Sequence, residues 1–239
     1  MQRYFAKDFD GKNFILDSGD VFHISSVMRM KNGDFIEVVY DSILYKCSVS
    51  FNDGFSVLLD SVIDDSKDLE KEIILIIPVL KEQKMDLVLQ KATELGVYKI
   101  IPVMMERCIV KVNDKENKKL ERWTRIVKEA SEQCKRKNIP IIDNIRCLDD
   151  LIFDDGVKIV CSTVENKKSI KKVMQSNKYY DRMYIVVGPE GGISTLEEQK
   201  LNSLGFSSVT LGNRIMRVET VPLYVLSIIN YLNSFLYIM

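Results

Sequence analysis

Two glycine-containing loops lie within residues 186–226, where they could expose main-chain groups to a ligand. Three glycines at residues 188–192 follow an apolar run at residues 183–187, and Gly212 follows a second run at residues 208–211. Glycine has no side chain, so such a loop can adopt unusual conformations and let a ligand approach closely. Because both loops follow predicted strands, we expect them to meet at one sheet edge. The pattern favours a cleft that holds a small cofactor through N–H and C=O groups.

A helix is predicted between these two loops. Ser194 and Glu197 have the spacing of a capping box, in which each side chain accepts a hydrogen bond from an N–H at the start of a helix. Gly205 is typical of the residue that ends one. The two loops should therefore lie at either end of one short strand-helix-strand unit.

The same alternation extends over most of the chain. Apolar runs at residues 73–79, 99–104 and 157–162 are separated by helical patterns, one from residue 82 to 95 and a longer one through residues 123–137. Strands that alternate with helices predict an α/β fold in which helices cover a parallel sheet.

The beginning of the chain has a different pattern, with short apolar runs separated by Gly, Asn and Asp. These runs lie at residues 13–16, 35–39, 44–49 and 55–59. They predict antiparallel strands of a small β-barrel, with a single helical turn at residues 25–30. A charged stretch at residues 64–71 resembles a linker. We therefore predict two domains, residues 1–70 and residues 71–239.

Charge and cysteine content limit the classes of function. The chain has 34 basic and 34 acidic residues, which argues against a protein that holds nucleic acid by bulk charge. Residues 1–70 contain seven basic and thirteen acidic residues, so any RNA contact there must be local. The five cysteines lack the spacing of a zinc site or disulfide framework, and there is one histidine. We expect reduced thiols, no metal and a cytoplasmic location.

The two ends of the chain argue against export and against a membrane span. The first residues contain no apolar run suited to a signal peptide, and acidic residues occur early. Residues 221–239 are apolar but include Pro222, Asn230 and Asn233. Their length is borderline for a membrane span, and a buried helix in a core or subunit interface fits them better.

Several sequence blocks resemble one known family. GPEGGIS with a following Glu, and then LGNRIMRVET, are similar to the signature of the RsmE family of ribosomal RNA methyltransferases, within the SPOUT superfamily. Further blocks occur in the family's order: MQRYF, FHISSVMRMKNGD, KMDLVLQKATELGV, ERCIVK and RWTRIVKEASEQCKRKNIP. The resemblance covers nearly the whole chain.

The resemblance implies a fold and an activity that the pattern of elements does not. It implies a C-terminal SPOUT α/β domain with a trefoil knot, preceded by a PUA-like or OB-like β-barrel that binds RNA. The last helix would help to form a homodimer. The activity would be transfer of the methyl group of S-adenosyl-L-methionine to N3 of a uridine in 16S rRNA of the small ribosomal subunit. Without the resemblance, a knot would not be expected, because chains generally avoid them.

The resemblance also implies that three loops hold the cofactor in a bent form, after the strands that end near residues 161, 187 and 211. The candidate cofactor-binding residues are Thr163, Val187, Gly188, Glu190, Gly191, Gly192, Leu211, Gly212, Ile215 and Met216. Two positions in the last loop depart from the family pattern. Asn213 stands where Pro is usual, and Val218 stands where Thr is common, which leaves cofactor affinity open.

The polar side chains of the last loop are the catalytic candidates under this reading: Arg217, Glu219 and Arg214. N3 of uracil carries a proton, so the reaction needs a base and donors that face the oxygens on which negative charge develops. Arg217 is the first candidate for stabilising that charge or placing the uracil. Glu219 could be the base if its pKa were raised, or it could form a buried ion pair with an arginine that holds the loop.

Seven residues are candidate RNA contacts. Glu129, Gln133 and Arg136 match a family block and are spaced to share one face of the long helix, although an ordinary exposed face would look the same. The other four lie in the predicted barrel: Arg3, Tyr4, Arg29 and Lys31. A structural role is an open alternative for Tyr4.

Two alternatives to this activity remain at this point. One is a SPOUT methyltransferase that acts on a different RNA. The other is a noncatalytic RNA-binding or ribosome-assembly protein with the same two domains, which the intact GPEGG and RIMRVET loops disfavour.

Overall fold

The structure is a computed structural model that describes residues 1–65, 71–110, 116–177 and 179–236. The chain divides into two compact units. Unit 1 comprises Met1–Leu69 and Lys128–Ile139, and unit 2 comprises Glu70–Val127 and Pro140–Met239. Most of the predicted linker lies outside the described residues, as does the boundary near residue 70. The assignment of domains to residues 1–70 and 71–239 stays a prediction.

Unit 1 is built around a small sheet. Its described residues form the strands β1 (Arg3–Phe5), β2 (Asp8–Phe9), β3 (Phe14–Ile15), β4 (Phe35–Tyr40), β5 (Ile43–Ser50) and β6 (Ser56–Asp64). The sheet has the order β1-β4-β5-β6, and β2 pairs with β3. The antiparallel pairing predicted for β4, β5 and β6 is confirmed, whereas β1 runs parallel to β4. Closure of these strands into a barrel stays a prediction.

The helical segment of unit 1 begins earlier than predicted. Helix α1 (Ser18–Phe22) continues directly into a π-helix, His23–Val27, so the helical turn predicted at residues 25–30 is confirmed for residues 25–27, but its predicted bounds are wrong. The reason is an N-cap that the prediction missed. The Asp17 side chain accepts a hydrogen bond of 2.9 Å from the backbone N–H of Asp20, which starts the helix there.

Unit 2 contains the parallel sheet that the sequence predicts. Its described residues form β7 (Glu72–Pro78), β8 (Lys99–Met104), β9 (Ile141–Ile142), β10 (Arg146–Cys147), β11 (Val157–Cys161), β12 (Arg182–Val187) and β13 (Ser207–Val209). The order is β10-β8-β7-β12-β11-β13, and β9 pairs with β8. All strand pairs among the described residues of this sheet are parallel. The α/β class is confirmed.

Helices flank this sheet and explain its apolar strands. They are α2 (Glu82–Glu94), α3 (Glu116–Gln133), α4 (Ile170–Ser176), α5 (Thr195–Ser203) and α6 (Thr220–Leu236). The central strand β7 consists of nearly continuous Ile and Leu, all buried, because both of its faces pack inside the unit.

Helix α3 ends before the predicted residue 137. It stops at Gln133, and Lys135 has a φ of 65°, in the left-handed region that is common just after a helix. Arg136 therefore lies beyond the helix, and the prediction that it shares a helical face with Glu129 and Gln133 is wrong. From Lys128 onward, the residues of α3 belong to unit 1.

A buried ion-pair cluster centred on Lys128 lies in unit 1. Its ammonium nitrogen is 2.6 Å from the Asp20 carboxylate, 3.1 Å from that of Asp17 and 2.9 Å from that of Glu132. One cation among three carboxylates leaves surplus negative charge in a poorly hydrated place. Burial raises the pKa of Glu132 to about 7, against the opposing effect of the Lys128 ammonium, and it also raises the pKa of Asp20.

We predict that Glu132→Gln reduces the dependence of stability on pH between about 4.5 and 7. The folded chain keeps the Glu132 proton to about pH 7, whereas the unfolded chain loses it near 4.5. In this window the folded state holds the extra proton, so its stabilising effect is present at low pH and is lost as pH rises.

Thermal unfolding at about pH 5 and about pH 7.5 checks this expectation. Between these two pH values, the melting temperature of the wild type should fall by on the order of a few degrees more than that of the variant. Glu129→Gln, which changes an exposed carboxylate on the same helix, should behave like the wild type. The same pH dependence in Glu132→Gln would contradict the prediction.

Candidate cofactor and active site

Three loops of unit 2 emerge at one edge of the sheet. Strands β12, β11 and β13 are neighbours, and Cys161 at the end of β11 pairs with both Val187 and Val209. Because the strands are parallel and end at the same level, the segments that follow them start side by side. The expectation that the glycine loops converge at one sheet edge is confirmed, and the loop after Cys161 joins them.

The loop after β12 has a backbone path that leaves no room for larger residues. A Cβ atom on Gly188 would lie 2.6 Å from the Ile193 Cγ1 atom and 3.0 Å from the Ile193 backbone nitrogen. Gly192 has a φ of 74°, and its N–H donates a hydrogen bond of 2.8 Å to the Pro189 carbonyl. Glycine at these positions permits a tight turn that side chains would block.

The helix after this loop starts with the predicted capping box. The Glu197 N–H donates to the Ser194 hydroxyl at 3.3 Å, and the Ser194 N–H donates to the Glu197 carboxylate at 3.0 Å. The same carboxylate accepts a bond of 2.8 Å from the Glu106 N–H. Arg107 donates a bond of 3.0 Å to the Gly191 carbonyl. The turn after β8 therefore supports the glycine loop from outside, a contact that the sequence did not indicate.

The loop after β11 is held by its own polar groups. The buried Ser162 hydroxyl accepts hydrogen bonds from the Val164 and Glu165 N–H groups at 3.2 and 3.3 Å. The Ser162 N–H donates to the Val209 carbonyl at 3.0 Å, which joins this loop to β13. Burial raises the pKa of Cys161 to about 12, so its thiol remains neutral beside the loop.

Two adjoining cavities lie among these loops, with volumes of about 520 Å³ and about 250 Å³. Both are lined by Thr163, Ile215 and Met216. The larger volume is within the range of small-molecule sites. Eight of the ten candidate cofactor residues line the larger cavity, and the other two, Leu211 and Gly212, line the smaller one.

The three catalytic candidates lie at different places around the two cavities. Arg217 is exposed and lines the larger cavity, and Arg214 is exposed and lines the smaller one. Glu219 lies beside the cavity, with its carboxylate 3.2 Å from the Lys84 ammonium. Burial would raise the pKa of Glu219, but its own backbone N–H, Lys84 and Arg217 together hold that pKa below its ordinary value.

Lys84 is a site residue that sequence reasoning missed. It lies on α2, lines the larger cavity, and its ammonium is also 3.1 Å from the Glu190 carboxylate in the glycine loop. Its block, KMDLVLQKATELGV, was part of the family resemblance but carried no role. Val218 and Val221 also line the cavity and were not among the candidates.

The seven candidate RNA contacts all belong to unit 1. Arg29, Lys31, Glu129 and Gln133 are exposed there, and Arg136 is buried. Arg3 is buried and pairs with Glu37 at 2.8 Å, and the buried Tyr4 lies 2.9 Å from the His23 ring nitrogen through its hydroxyl. The RNA contacts stay predictions, and Arg3 and Tyr4 have structural partners inside the unit.

Comparison with known proteins identifies the class and then the family. A family model described as an RNA methyltransferase domain matches residues 67–230, more than half of the chain, which places it among RNA methyltransferases. The ribosomal RNA small subunit methyltransferase E of Bacillus subtilis (strain 168) is 34% identical over 248 residues, with 97% of this chain and 96% of the relative covered. The corresponding protein of Aquifex aeolicus (strain VF5) is 32% identical, with coverage of 96% and 99%. The chain belongs to the ribosomal RNA small subunit methyltransferase E family, as its motifs suggested.

Solved structures share the fold over almost the whole chain. A putative methyltransferase from Legionella pneumophila in complex with SAM superposes with a TM-score of 0.88 at 27% identity and covers 97% of both chains. A ribosomal RNA small subunit methyltransferase E from Neisseria gonorrhoeae, bound to S-adenosyl methionine, has a TM-score of 0.84 at 27% identity, with coverage of 97% and 98%.

Two further findings concern membranes and metals. Within the described residues, none of the helices has the length and apolarity that a membrane crossing requires. The described part of the chain also shows no group of three or more His, Cys, Asp or Glu side chains placed to hold a metal ion.

We predict that Gly188→Ala destabilises unit 2 by about 1–3 kcal/mol, because the added methyl group overlaps Ile193. Urea unfolding of Gly188→Ala, Ile193→Ala and the double variant measures this as a thermodynamic cycle. The cost of Gly188→Ala should be smaller when Ile193 is already Ala, since the closest contact is then gone. An equal cost in both backgrounds would show that the Ile193 side chain is not the obstacle.

Proposed function

We propose that the protein transfers a methyl group from S-adenosyl-L-methionine to N3 of a uridine in 16S rRNA of the small ribosomal subunit. The observation that carries the proposal is the convergence of three loops on adjoining cavities lined by all ten residues that the family resemblance selects. Membership of the methyltransferase E family and the named relatives support the substrate class. The Neisseria gonorrhoeae relative bound to S-adenosyl methionine supports the cofactor.

The residues around the larger cavity fit this cofactor. Its volume of about 520 Å³ suits a nucleoside with an amino-acid tail, and the tight turn at Gly188 brings main-chain groups to its wall. Val187, Ile215, Met216 and Val221 supply apolar surface for the adenine ring. Bound there, S-adenosylmethionine supplies an electrophilic methyl group on a sulfonium sulfur.

Arg217 is assigned to the developing negative charge. Methylation of N3 requires loss of its proton, which spreads charge over N3 and the two uracil oxygens. An exposed guanidinium at the cavity wall can donate hydrogen bonds to such oxygens. Arg214, at the smaller cavity, is the second candidate for the same task.

Glu219 is assigned to holding the loop and not to proton removal. Its pKa lies below the ordinary value, and its carboxylate pairs with Lys84. A general base works best when its pKa is near the working pH, and an ion-paired carboxylate of low pKa is a weak base. Of the two roles that the sequence left open for Glu219, we propose the ion pair that holds the loop, but with Lys84 as the partner in place of the expected arginine.

The finer features of the fold form part of the proposal. We propose a trefoil knot in the C-terminal part of unit 2, a closed PUA-like barrel in unit 1, a homodimer that includes α6, and a cytoplasmic location. Family membership supports the knot and the barrel. In unit 1, the exposed Arg29 and Lys31 are the proposed RNA contacts of the barrel, while Arg3 and Tyr4 hold it together.

Exposed residues at the end of α3 are proposed as a second RNA contact. Glu129 and Gln133 both face solvent and are four residues apart on the helix, so their side chains lie on one face. Arg136, beyond the helix end, is proposed to support this surface.

We predict that Arg217→Ala lowers turnover at least ~100-fold and changes the affinity for S-adenosylhomocysteine only a few-fold. The guanidinium would act on charge that develops during the reaction, so its loss affects the rate more than the binding of cofactor. Calorimetry and single-turnover methylation of isolated small subunits measure the two effects. Arg146→Ala, a change to a partly exposed arginine on β10 that lines neither cavity, is the control. Unchanged turnover would show that Arg217 does not stabilise the charge that develops in the reaction.

We also predict that deletion of the gene removes N3-methyluridine from small-subunit RNA of its host. Mass spectrometry of nucleosides from purified 16S rRNA measures this product. The wild-type gene should restore the nucleoside, and the Arg217→Ala gene should not. Persistence of N3-methyluridine in the deletion strain would refute the uridine assignment.

A further inference from the structure

The Lys84 ammonium lies between two carboxylates that belong to different parts of the site. It is 3.1 Å from Glu190, in the glycine loop after β12, and 3.2 Å from Glu219, just before α6. Lys84 itself lies in the first turns of α2, far away in the sequence. One cation on α2 therefore connects the glycine loop after β12 with the segment just before α6.

The arrangement adds little to global stability. All three side chains are partly open to solvent, with exposed fractions of 33% for Lys84, 26% for Glu190 and 14% for Glu219. Ion pairs in such surroundings contribute little to the free energy of unfolding. The consequence of losing Lys84 is local, because two carboxylates that face a common point would then repel each other.

This repulsion between the two carboxylates would act on the wall of the larger cavity. Lys84 and Glu190 both line the larger cavity, together with Gly188 and Arg217. Repulsion between Glu190 and Glu219 would push the glycine loop away from the segment that carries Arg217. The Lys84 ammonium on α2 thus holds the glycine loop and the segment that carries Arg217 at their separation.

We propose that Lys84 is a positioning residue that fixes the glycine loop relative to the Arg217–Glu219 segment and thereby shapes the site for its cofactor. The proposal rests on the proposed function for the identity of the cofactor. The link between the segments is formed by protein side chains alone. It can therefore be measured without the cofactor.

The first experiment measures hydrogen exchange in the cofactor-free protein. Lys84→Met should increase the exchange rate of the Gly192 and Thr220 amides about tenfold, because their hydrogen bonds to Pro189 and Arg217 lie in the two linked segments. Lys99→Met is the matched control. Lys99 pairs with Asp143 at 2.8 Å and has a similar exposure, but it begins β8 and lines neither cavity. Unchanged exchange in Lys84→Met would overturn the proposal.

The second experiment measures binding of S-adenosylhomocysteine by calorimetry. Lys84→Met should weaken binding about tenfold with a nearly unchanged melting temperature, and Lys84→Arg should recover most of the affinity because it keeps the charge. The double variant Lys84→Met/Glu219→Gln should bind more tightly than Lys84→Met, since the repulsion is removed. A double variant that binds as weakly as Lys84→Met would show that Lys84 does not act by separating the carboxylates.

The two experiments separate failure of this proposal from failure of the proposed function. If the wild type does not bind S-adenosylhomocysteine, the cofactor assignment fails, while hydrogen exchange still decides whether Lys84 links the segments. If the wild type binds and Lys84→Met binds equally well, the positioning role fails and the function stands.

Discussion

The register of three adjacent parallel strands is the constraint on which the site depends. Cys161 is paired with Val187 on one side and with Val209 on the other, so β11, β12 and β13 end at one level. Three segments that are distant in the sequence leave the sheet next to each other for this reason alone. A slip of one residue in any pair would turn every side chain of the slipped strand to the opposite face and displace one loop from the other two. The cavity is a consequence of strand register before it is a consequence of any ligand contact.

Local interactions then fix the path of each loop, and long-range interactions fix the distance between loops. Short contacts fix the path of each loop: those of the Ser162 hydroxyl, the hydrogen bond from Gly192 to Pro189, and the capping box of Ser194 and Glu197. Such hydrogen bonds typically contribute about 0.5–1.5 kcal/mol each, enough to select a conformation within a loop. They do not set the distance between loops. That distance depends on side chains from elsewhere, such as Arg107 at the Gly191 carbonyl.

The difference between local and long-range interactions also explains how much could be predicted from the sequence. Features that depend on neighbouring residues were recovered: the buried run of β7, the capping box at Ser194, and the glycine loop after β12. The early start of α1 is local too, but it depends on a single N-cap, Asp17, that lacks the second half of a capping box. The end of α3 was missed because no glycine marks it, and Lys135 takes the left-handed conformation instead. Lys84 could not be found, because nothing near it in the sequence indicates two carboxylates more than a hundred residues away.

In the proposed reaction, the pairing of Lys84 also limits where the uridine proton can go. A base that accepts a proton loses its charge, and a neutral Glu219 would lose its attraction to Lys84. Proton transfer to Glu219 would therefore loosen the cavity wall at the moment when the wall must be fixed. Arg217 reinforces the ionised form of Glu219, since its positive charge also lowers the pKa of that carboxyl. In the proposed arrangement, Glu219 stays charged, Arg217 stabilises the uracil oxygens and the proton leaves to water. The cavity wall then stays fixed and the developing negative charge is stabilised. A catalytic carboxylate at this position would meet neither requirement.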